Sequence, residues 1–258
     1  MLNNIPQVTK NLLLLNILMF ILTLFFETRG FDLGSLLGIH YFNSPLFEPY
    51  QIVTYFFMHG GLFHILFNMI ALVMFGGFLE NLWGPKRFFI LYIASAVGAI
   101  VLYNALGVIQ VEEIRQLIGH PVDLSAIDAI ISQNGRSEET IRLLNEYLST
   151  SELGRSPNAV YVSEYIDKVF TPMVGASGAV FGIMAAFAIL FPNTELQLIF
   201  PPIPIKAKYL IGGYFVFEIY NSIYQSQGDN VAHLAHVGGA VVGGILVLVW
   251  KQKRNTFY

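Results

Sequence analysis

Six long apolar segments constrain the fold of this chain more than any other feature of its sequence. They lie near 11–26, 60–79, 88–107, 172–191, 209–225 and 231–250. Each is long enough, or nearly long enough, to cross a bilayer core about 30 Å thick. Because lipid offers an exposed backbone no hydrogen-bond partners, such segments cross a membrane as helices. The sequence therefore predicts an all-α polytopic membrane protein with six transmembrane helices.

The composition agrees with a membrane location. Apolar residues make up 55% of the chain and charged residues only 12%, whereas soluble proteins carry about 25% charged residues. The net charge of −3 gives no indication of a nucleic-acid partner, and the absence of cysteine excludes disulfides and thiol catalysis. Glu27-Thr28-Arg29 follows the first apolar segment in place of a small-residue cleavage site, which indicates a retained span and not a signal peptide.

The distribution of basic residues predicts the orientation. With the amino terminus inside, the inner segments hold Lys10, Lys86, Arg87, Lys206, Lys208, Lys251, Lys253 and Arg254. The first outer loop, about 27–59, offers only Arg29, and the turn near 226–230 has no Lys or Arg. The positive-inside rule then predicts that both termini are cytoplasmic. The compact six-span form suggests the bacterial plasma membrane.

A long polar insert, 108–171, separates the third and fourth spans. It holds ten acidic residues against five basic ones, as suits an extracytoplasmic segment. Ser125 before Ala126-Ile127-Asp128 and Ser137 before Glu138-Glu139 are typical of helix N-caps. We predict two to four short amphipathic helices here, within a single membrane domain that covers 1–258. Either a role in substrate recognition or gating, or a passive role, is compatible with this sequence.

Four polar side chains within the predicted spans need an explanation, because polar groups are costly inside a bilayer. His64 and Asn68 lie four residues apart in span two, hence on one helix face. Ser177 lies in span four and His236 in span six. At 1.5 Å per residue, all four fall roughly 6 to 12 Å below the outer ends of their predicted spans. We therefore expect them to share one layer of the outer leaflet.

The chemistry of these residues suits a nucleophilic site. A serine hydroxyl such as that of Ser177 needs an adjacent base, usually histidine, and His236 is a candidate. The oxyanion that forms needs hydrogen-bond donors, which His64 and Asn68 could supply. Gly175, two residues before the serine, would let backbone and substrate approach closely.

The same segments also have a structural interpretation. Gly178-x-x-x-Gly182 and Gly239-x-x-x-Gly243 match the small-residue pattern of packed membrane helices, and a serine such as Ser177 commonly bonds the backbone within a span. Packing and catalysis do not compete, because close approach of spans four and six would bring the serine to the histidine.

Four motifs, in their order and spacing, resemble the rhomboid family. They are HGGLFHILFN at 59–68, ENLWGPKRF at 80–88, GASGAVFG at 175–182 and AHVGG at 235–239. The resemblance implies a six-helix rhomboid bundle. It also implies an intramembrane serine endopeptidase that cleaves transmembrane proteins near the outer membrane surface without a metal or other cofactor.

Carried onto this sequence, the resemblance implies that Ser177 is the nucleophile and His236 the general base, in a dyad with no acidic third member. His64 and Asn68 then match the oxyanion-stabilising positions, and Gly175 matches the glycine beside the nucleophile. The expected partners are transmembrane protein substrates and the lipid bilayer.

Two positions near this pair are ambiguous. Some family members carry a tyrosine four residues after the nucleophile; here it is Phe181, whose ring could pack on His236 but has no hydroxyl to donate. His233 lies one helical turn before His236, so helix geometry alone permits either as the base. The match to the family motif favours His236, and His233 would then reach interfacial water.

Three charged residues in or beside the spans have structural interpretations. Glu218 lies near the middle of span five, where an acid is costly, and we favour a protonated or hydrogen-bonded structural role for it over a catalytic one. Glu80 and Arg87, at the inner ends of spans two and three, are predicted to form a structural clamp.

Two other functions are compatible with a polytopic chain. One is a catalytically silent rhomboid-like protein that binds membrane clients, although such relatives usually lack the serine or the histidine, and both Ser177 and His236 are present. The other is a small-solute transporter or channel. Spans one, three and five contribute few matching polar residues, and the sequence has no visible inverted repeat, which disfavours a transporter.

Overall fold

The computed structural model describes residues 4–119, 124–151, 158–197, 203–224 and 232–255. For residues 252–255 it describes the backbone only. Its helices are α1 (Gln7–Glu27), α2 (Leu33–Leu37), α3 (Gln51–Thr54), α4 (Leu62–Ala71), α5 (Gly77–Trp83), α6 (Pro85–Ile118), α7 (Leu124–Asn134), α8 (Glu138–Thr150), α9 (Ala159–Phe170), α10 (Ser177–Leu190), α11 (Ala207–Ile223) and α12 (His233–Asn255). A 3₁₀ turn (Tyr55–Phe57) precedes α4, a π-helical turn (Leu72–Gly76) joins α4 to α5, and strands β1 (Glu195–Gln197) and β2 (Pro204–Lys206) form an antiparallel pair.

The chain divides into two compact units. One comprises Met1–Leu22, Phe56–Tyr103 and Gly175–Tyr258, and the other comprises Thr23–Tyr55 and Asn104–Val174. The predicted turn near 226–230, residues 225 and 231 of the last two predicted spans, and 120–123 and 152–157 of the predicted insert lie outside the described residues.

Four helical stretches within the described residues are long and apolar enough to cross a membrane. They are Gln7–Glu27, Leu62–Trp83, Pro85–Ile118 and His233–Lys251. The protein is therefore a mainly helical, multi-pass membrane protein. Helix α10 is apolar but has only 14 residues, and α11 has 17, so a count of six spans stays a prediction.

The boundary between α5 and α6 is set by two adjacent residues. Gly84 has φ +81°, a left-handed conformation that ends α5, and Pro85 opens α6, where its missing N–H is no loss. Helix α6 then continues to Ile118, past the predicted end of span three at 107 and into the predicted insert. Polarity rises toward the end of this helix, where Glu112, Glu113 and Arg115 lie, but no residue there stops the helix, so the change of composition did not mark a helix end.

The first unit contains a close contact between α10 and α12. A side chain at Gly239 would collide with the backbone carbonyl of Gly178, and a Cβ at Gly243 would lie 2.6 Å from the Cα of Gly182. The predicted packing role of these glycines is thus confirmed. The two helices touch backbone to backbone, which fixes their separation.

Glu80 binds the start of α1. Its carboxylate accepts hydrogen bonds from the N–H of Val8 at 2.9 Å, the N–H of Thr9 at 2.7 Å and the hydroxyl of Thr9 at 2.8 Å. N–H groups in the first turn of a helix have no intrahelical acceptor and carry partial positive charge. The predicted structural role of Glu80 is thus confirmed, but in the described part of the chain its buried carboxylate binds α1 and not Arg87.

The second unit holds the helices of the predicted insert. Helix α8 begins at Glu138 as predicted, with Ser137 accepting a hydrogen bond from the N–H of Thr140 at 3.2 Å. Helices α7 and α9 bring the number in the described part of this segment to three, within the predicted range. The N-cap predicted at Ser125 is wrong, because Ser125 lies inside α7 (Leu124–Asn134). The extracytoplasmic location of the segment stays a prediction.

A polar network joins three helices of this unit. Arg115 on α6 donates to the Tyr165 hydroxyl on α9 at 2.8 Å and pairs with Asp128 on α7 at 3.2 Å. The Tyr165 hydroxyl donates to Asp128 in a short hydrogen bond. Each of the three side chains contacts both of the others.

Candidate active site

Helix α10 places Ser177 at its first turn. The helix begins at Ser177 and not near 172 as predicted, because Gly175 adopts φ +125°, which no helix allows. The helix therefore starts later than the predicted span, and the depth of Ser177 in the membrane stays a prediction. Its N–H belongs to the helix start, where backbone donors lack intrahelical acceptors and favour negative charge.

His236 lies beside this serine. Its Nε2 is 2.8 Å from the Ser177 Oγ, a hydrogen-bond distance. Helix α12 begins at His233, so His236 occupies its first turn, just as Ser177 does in α10. Because the glycine contact fixes the distance between α10 and α12, the two side chains meet where both helices start.

Phe181 covers one face of the imidazole. Its ring is stacked on that of His236, with centroids 4.3 Å apart and planes inclined by 7°. The prediction that Phe181 packs on this histidine is confirmed. Phe181 also contacts Tyr214 of α11, with centroids 5.0 Å apart.

Gly175 keeps a gap open between Ser177 and His64. A Cβ at Gly175 would lie 2.7 Å from the His64 Nε2 and 3.5 Å from the Ser177 Oγ. The imidazole of His64 and the hydroxyl of Ser177 therefore face a common space. The His64 Nδ1 accepts a long hydrogen bond, 3.4 Å, from the Gly60 N–H. This favours the tautomer with a proton on Nε2, the nitrogen that faces the gap.

Asn68 lies one turn along α4 from His64, as its spacing predicted. The Asn68 side chain is buried, and its amide nitrogen donates to the backbone carbonyl of His64 at 3.0 Å. Of the two donors predicted for the oxyanion, His64 lies at the gap beside Gly175, whereas Asn68 contacts the backbone that carries His64.

Glu218 of α11 contacts both histidines of α12. Its Oε2 lies 2.8 Å from the His236 Nδ1 and 2.6 Å from the His233 Nδ1. The expectation that His233 reaches interfacial water is wrong, because this side chain is buried and binds Glu218. Sequence reasoning did not connect Glu218 with His236. The available signal was an acidic residue within one apolar segment and two histidines on one face of another.

Among the described residues, one group has ligand atoms close enough to hold a metal ion: Glu218, His233 and His236. These atoms all lie within 4.8 Å of one another. Two ligands of a tetrahedral zinc ion lie about 3.3 Å apart, given bonds of about 2.0–2.1 Å. The carboxylate–imidazole distances of 2.6 and 2.8 Å are shorter. This arrangement suits direct hydrogen bonds better than shared coordination of an ion.

Comparisons with known proteins agree with this architecture. Residues 46–110 and 140–253, more than half of the chain, match the model of the Rhomboid domain. The chain is 30% identical to RHOMBOID-like protein 12, mitochondrial, of Arabidopsis thaliana over 80% of its own length and 47% of that relative. It is 27% identical to an uncharacterized mitochondrial rhomboid protein of Schizosaccharomyces pombe, over 84% of this chain and 56% of the relative.

A third relative is Rhomboid protein 1, mitochondrial, of Saccharomyces cerevisiae, 23% identical over 75% of this chain and 39% of the relative. The chain thus spans about half the length of the curated relatives it matches, or less. All four motifs singled out in the sequence lie inside the matched residues of the family model. The chain belongs to the rhomboid family.

Proposed function

We propose that this protein is an intramembrane serine endopeptidase that cleaves transmembrane protein substrates near the outer membrane surface. The observation that carries the proposal is the 2.8 Å contact between the Ser177 Oγ and the His236 Nε2, beside the gap at Gly175. Serine and histidine at hydrogen-bond distance form an activated nucleophile. No metal or other cofactor is required for this chemistry.

The first step is attack on a peptide carbonyl. His236 accepts the Ser177 hydroxyl proton on Nε2 while the Oγ forms a bond to the carbonyl carbon. The C–O π pair moves onto the carbonyl oxygen, giving a tetrahedral oxyanion. Collapse of this intermediate breaks the C–N bond, and His236 returns the proton to the leaving amine. The amino-terminal part of the substrate remains as an ester on Ser177.

We assign the oxyanion to the gap beside Gly175. The His64 Nε2 faces this gap, and Asn68 supports the backbone of His64. The Ser177 N–H at the start of α10 is the second donor of the proposal. Such preorganised donors are worth about 10²–10³ in rate each. Water then attacks the ester with His236 again as the base, and the enzyme is restored.

We further propose a bacterial plasma-membrane location with both termini cytoplasmic, on the basis of the distribution of Lys and Arg. The relatives described above carry "mitochondrial" in their names, so a mitochondrial membrane is the alternative. Reporter fusions at each terminus, together with fractionation of the native cells, separate these locations.

The decisive experiment compares Ser177→Ala with wild type in liposomes that contain a transmembrane reporter substrate. We expect cleavage by the wild type and none above background by Ser177→Ala. The matched control, Ser163→Ala, removes an exposed hydroxyl on α9 that bonds only within its own helix and should cleave as wild type does. Wild-type rates with Ser177→Ala would contradict the proposal.

A fluorophosphonate probe tests the competing function, a catalytically silent protein that binds membrane clients. An activated Ser177 should be labelled in wild type and in Ser163→Ala, and His236→Ala should lose the label. Absence of labelling in the wild type, with retained binding of membrane clients, would favour the silent protein.

A further inference from the structure

We infer that Glu218 is a third member of the site: a carboxylate that orients His236, and that His233 in turn holds in place. The inference rests on the proposed protease function and deepens it. It departs from the two-residue site that the family resemblance implies, and it rests on the contacts between α11 and α12 alone.

The Glu218 carboxylate contacts both histidines of α12. A single oxygen, Oε2 of Glu218, lies 2.8 Å from the His236 Nδ1 and 2.6 Å from the His233 Nδ1. The Glu218 side chain is 2% exposed, and those of His233 and His236 are 6% and 10% exposed. The three groups therefore satisfy one another, with little access to water.

The contact with Glu218 fixes the tautomer of His236. An ionised carboxylate accepts hydrogen bonds and donates none, so both imidazoles carry their proton on Nδ1. The His236 Nε2 then has a free lone pair, directed at the Ser177 Oγ 2.8 Å away. Only this tautomer can accept the serine proton. Glu218 thus selects the form of His236 that functions as a base.

The negative charge of Glu218 acts on His236 during the reaction. A carboxylate buried in an apolar helix is strongly unfavourable unless it is paired. Two N–H donors offset part of this penalty in the resting enzyme. When His236 takes the Ser177 proton it becomes an imidazolium, and the adjacent carboxylate stabilises that charge. The interaction is stronger in the transition state than in the resting state, which is the condition for a contribution to rate.

Glu218 also helps to fix the position of the His236 ring. Phe181 packs on one face of His236, but it has no hydroxyl with which to fix the ring edge. Glu218 supplies a polar contact at the His236 Nδ1, the ring nitrogen that does not face Ser177. His236 is thereby held at Nδ1 by α11, on its face by α10, and at Nε2 by the nucleophile.

The test compares Glu218→Gln with wild type by steady-state cleavage. We expect kcat/KM to fall by about 10²–10⁴-fold with KM little changed, as for removal of the carboxylate from a serine–histidine pair. The acidic limb of the pH profile should move to lower pH, since the imidazolium loses its stabilising charge. The other titratable groups that face this cluster are Tyr214, which interacts with Glu218 itself, and His64, which faces His236; both residues are kept in the variant.

A purely structural role for Glu218 predicts a different pattern. Activity would fall only in proportion to the folded fraction, and the pH profile of the folded protein would not move. That result, or a kcat/KM of Glu218→Gln within threefold of wild type, overturns the inference. If the wild type is inactive, the proposed function itself fails; if Ser177→Ala is inactive while Glu218→Gln is not, only this inference fails.

The role of His233 has its own pair of variants. His233→Asn keeps an N–H near the position of Nδ1 and should retain most of the activity. His233→Leu removes the donor and should lose more, with the acidic limb at higher pH because the freed carboxylate interacts more strongly with His236. Equal kcat/KM and equal pH profiles for the two variants would overturn the role of His233.

A spectroscopic measurement on the unsubstituted protein covers the case in which Glu218→Gln does not fold. Imidazole Nδ1 protons bonded to a carboxylate give proton resonances far downfield. We expect them in wild type and Ser177→Ala, with one lost in His236→Ala. Their absence from the wild type overturns the inference. Loss of wild-type activity in EDTA, restored by zinc, would also overturn it, because the three side chains would then be holding an ion.

Discussion

The ring of Phe181 lies parallel to the imidazole of His236, with centroids 4.3 Å apart. Phe181 follows Ser177 by four residues, one turn of α10. The helix that carries Ser177 therefore also supports His236, which belongs to another helix. A shift of α10 would move both contacts of His236 together.

We expect Phe181→Ala to impair catalysis through the position of His236. Without the ring, the imidazole can tilt away from Ser177, and a displacement of about 1 Å is enough to lower kcat by about 100-fold. The lost packing should also lower the free energy of unfolding by about 3 kcal/mol. Cleavage kinetics and unfolding in detergent measure the two effects. Phe181→Tyr keeps the stacked ring and is the control; an unchanged kcat in Phe181→Ala would refute the supporting role.

Gly175→Ala should close the gap that faces His64 and Ser177. The new Cβ would lie 2.7 Å from the His64 Nε2, and φ +125° strains any residue other than glycine. We expect kcat/KM to fall by at least about 100-fold, the loss typical of a disturbed oxyanion site. Gly213→Ala on α11, where a Cβ meets no atom within 4 Å, should cleave normally. Equal activity of the two variants would show that the gap has no catalytic role.

Glu80→Ala should destabilise the protein without altering the chemistry. The variant leaves the N–H groups of Val8 and Thr9 without their acceptor, which costs about 1–3 kcal/mol. Thermal unfolding in detergent should show the loss, while kcat per folded molecule stays near that of wild type. Arg87→Ala is the matched control and should unfold as wild type does. A larger effect from Arg87→Ala would restore the clamp predicted from sequence.

Tyr165 should make the second unit sensitive to high pH. Burial, and the hydrogen bond to Asp128, raise the pKa of Tyr165 above its usual value of 10.0. The folded state thus favours the neutral phenol. The stability that this preference confers is present below about pH 10, where the unfolded chain titrates, and is lost as pH rises toward the higher folded pKa.

Hydrogen exchange of α9 against pH measures this effect. The stability difference between wild type and Tyr165→Phe should be constant below about pH 10 and should shrink above it. Because the chain has 13 tyrosines, the tyrosinate difference spectrum of the two proteins gives an independent reading of this one residue. A Tyr165 that ionises with the exposed tyrosines would contradict the prediction.

The sequence predicted the partners of the site better than their placement. The proximity of Ser177 and His236 followed from two separate glycine patterns, because glycines that let helices touch leave a readable periodicity. The start of α10 did not follow. Gly175 fits equally well inside a span or before one, and only its backbone angle, φ +125°, distinguishes the two.

Glu218 shows that a sequence pattern can indicate a buried partner without identifying it. An acid in an apolar segment signals a partner, but it does not say which of several polar residues on other segments the partner is. His233 and His236 lie three residues apart and were equally available as the base by helix geometry. Only the rotation of α11 against α12 brings one carboxylate oxygen to both, and that rotation depends on the whole set of packed side chains.

The backbone contact between Gly178 and Gly239 has a consequence for how this protein can diverge. Where two helices meet without side chains, no substitution at the contact can adjust their spacing by a small amount, because the smallest addition already collides. The distance between Ser177 and His236 is therefore inherited unchanged or lost altogether. On the proposed function, substrate preference is free to drift through residues outside the contact between α10 and α12, so that chemistry and selectivity evolve on different parts of the same protein.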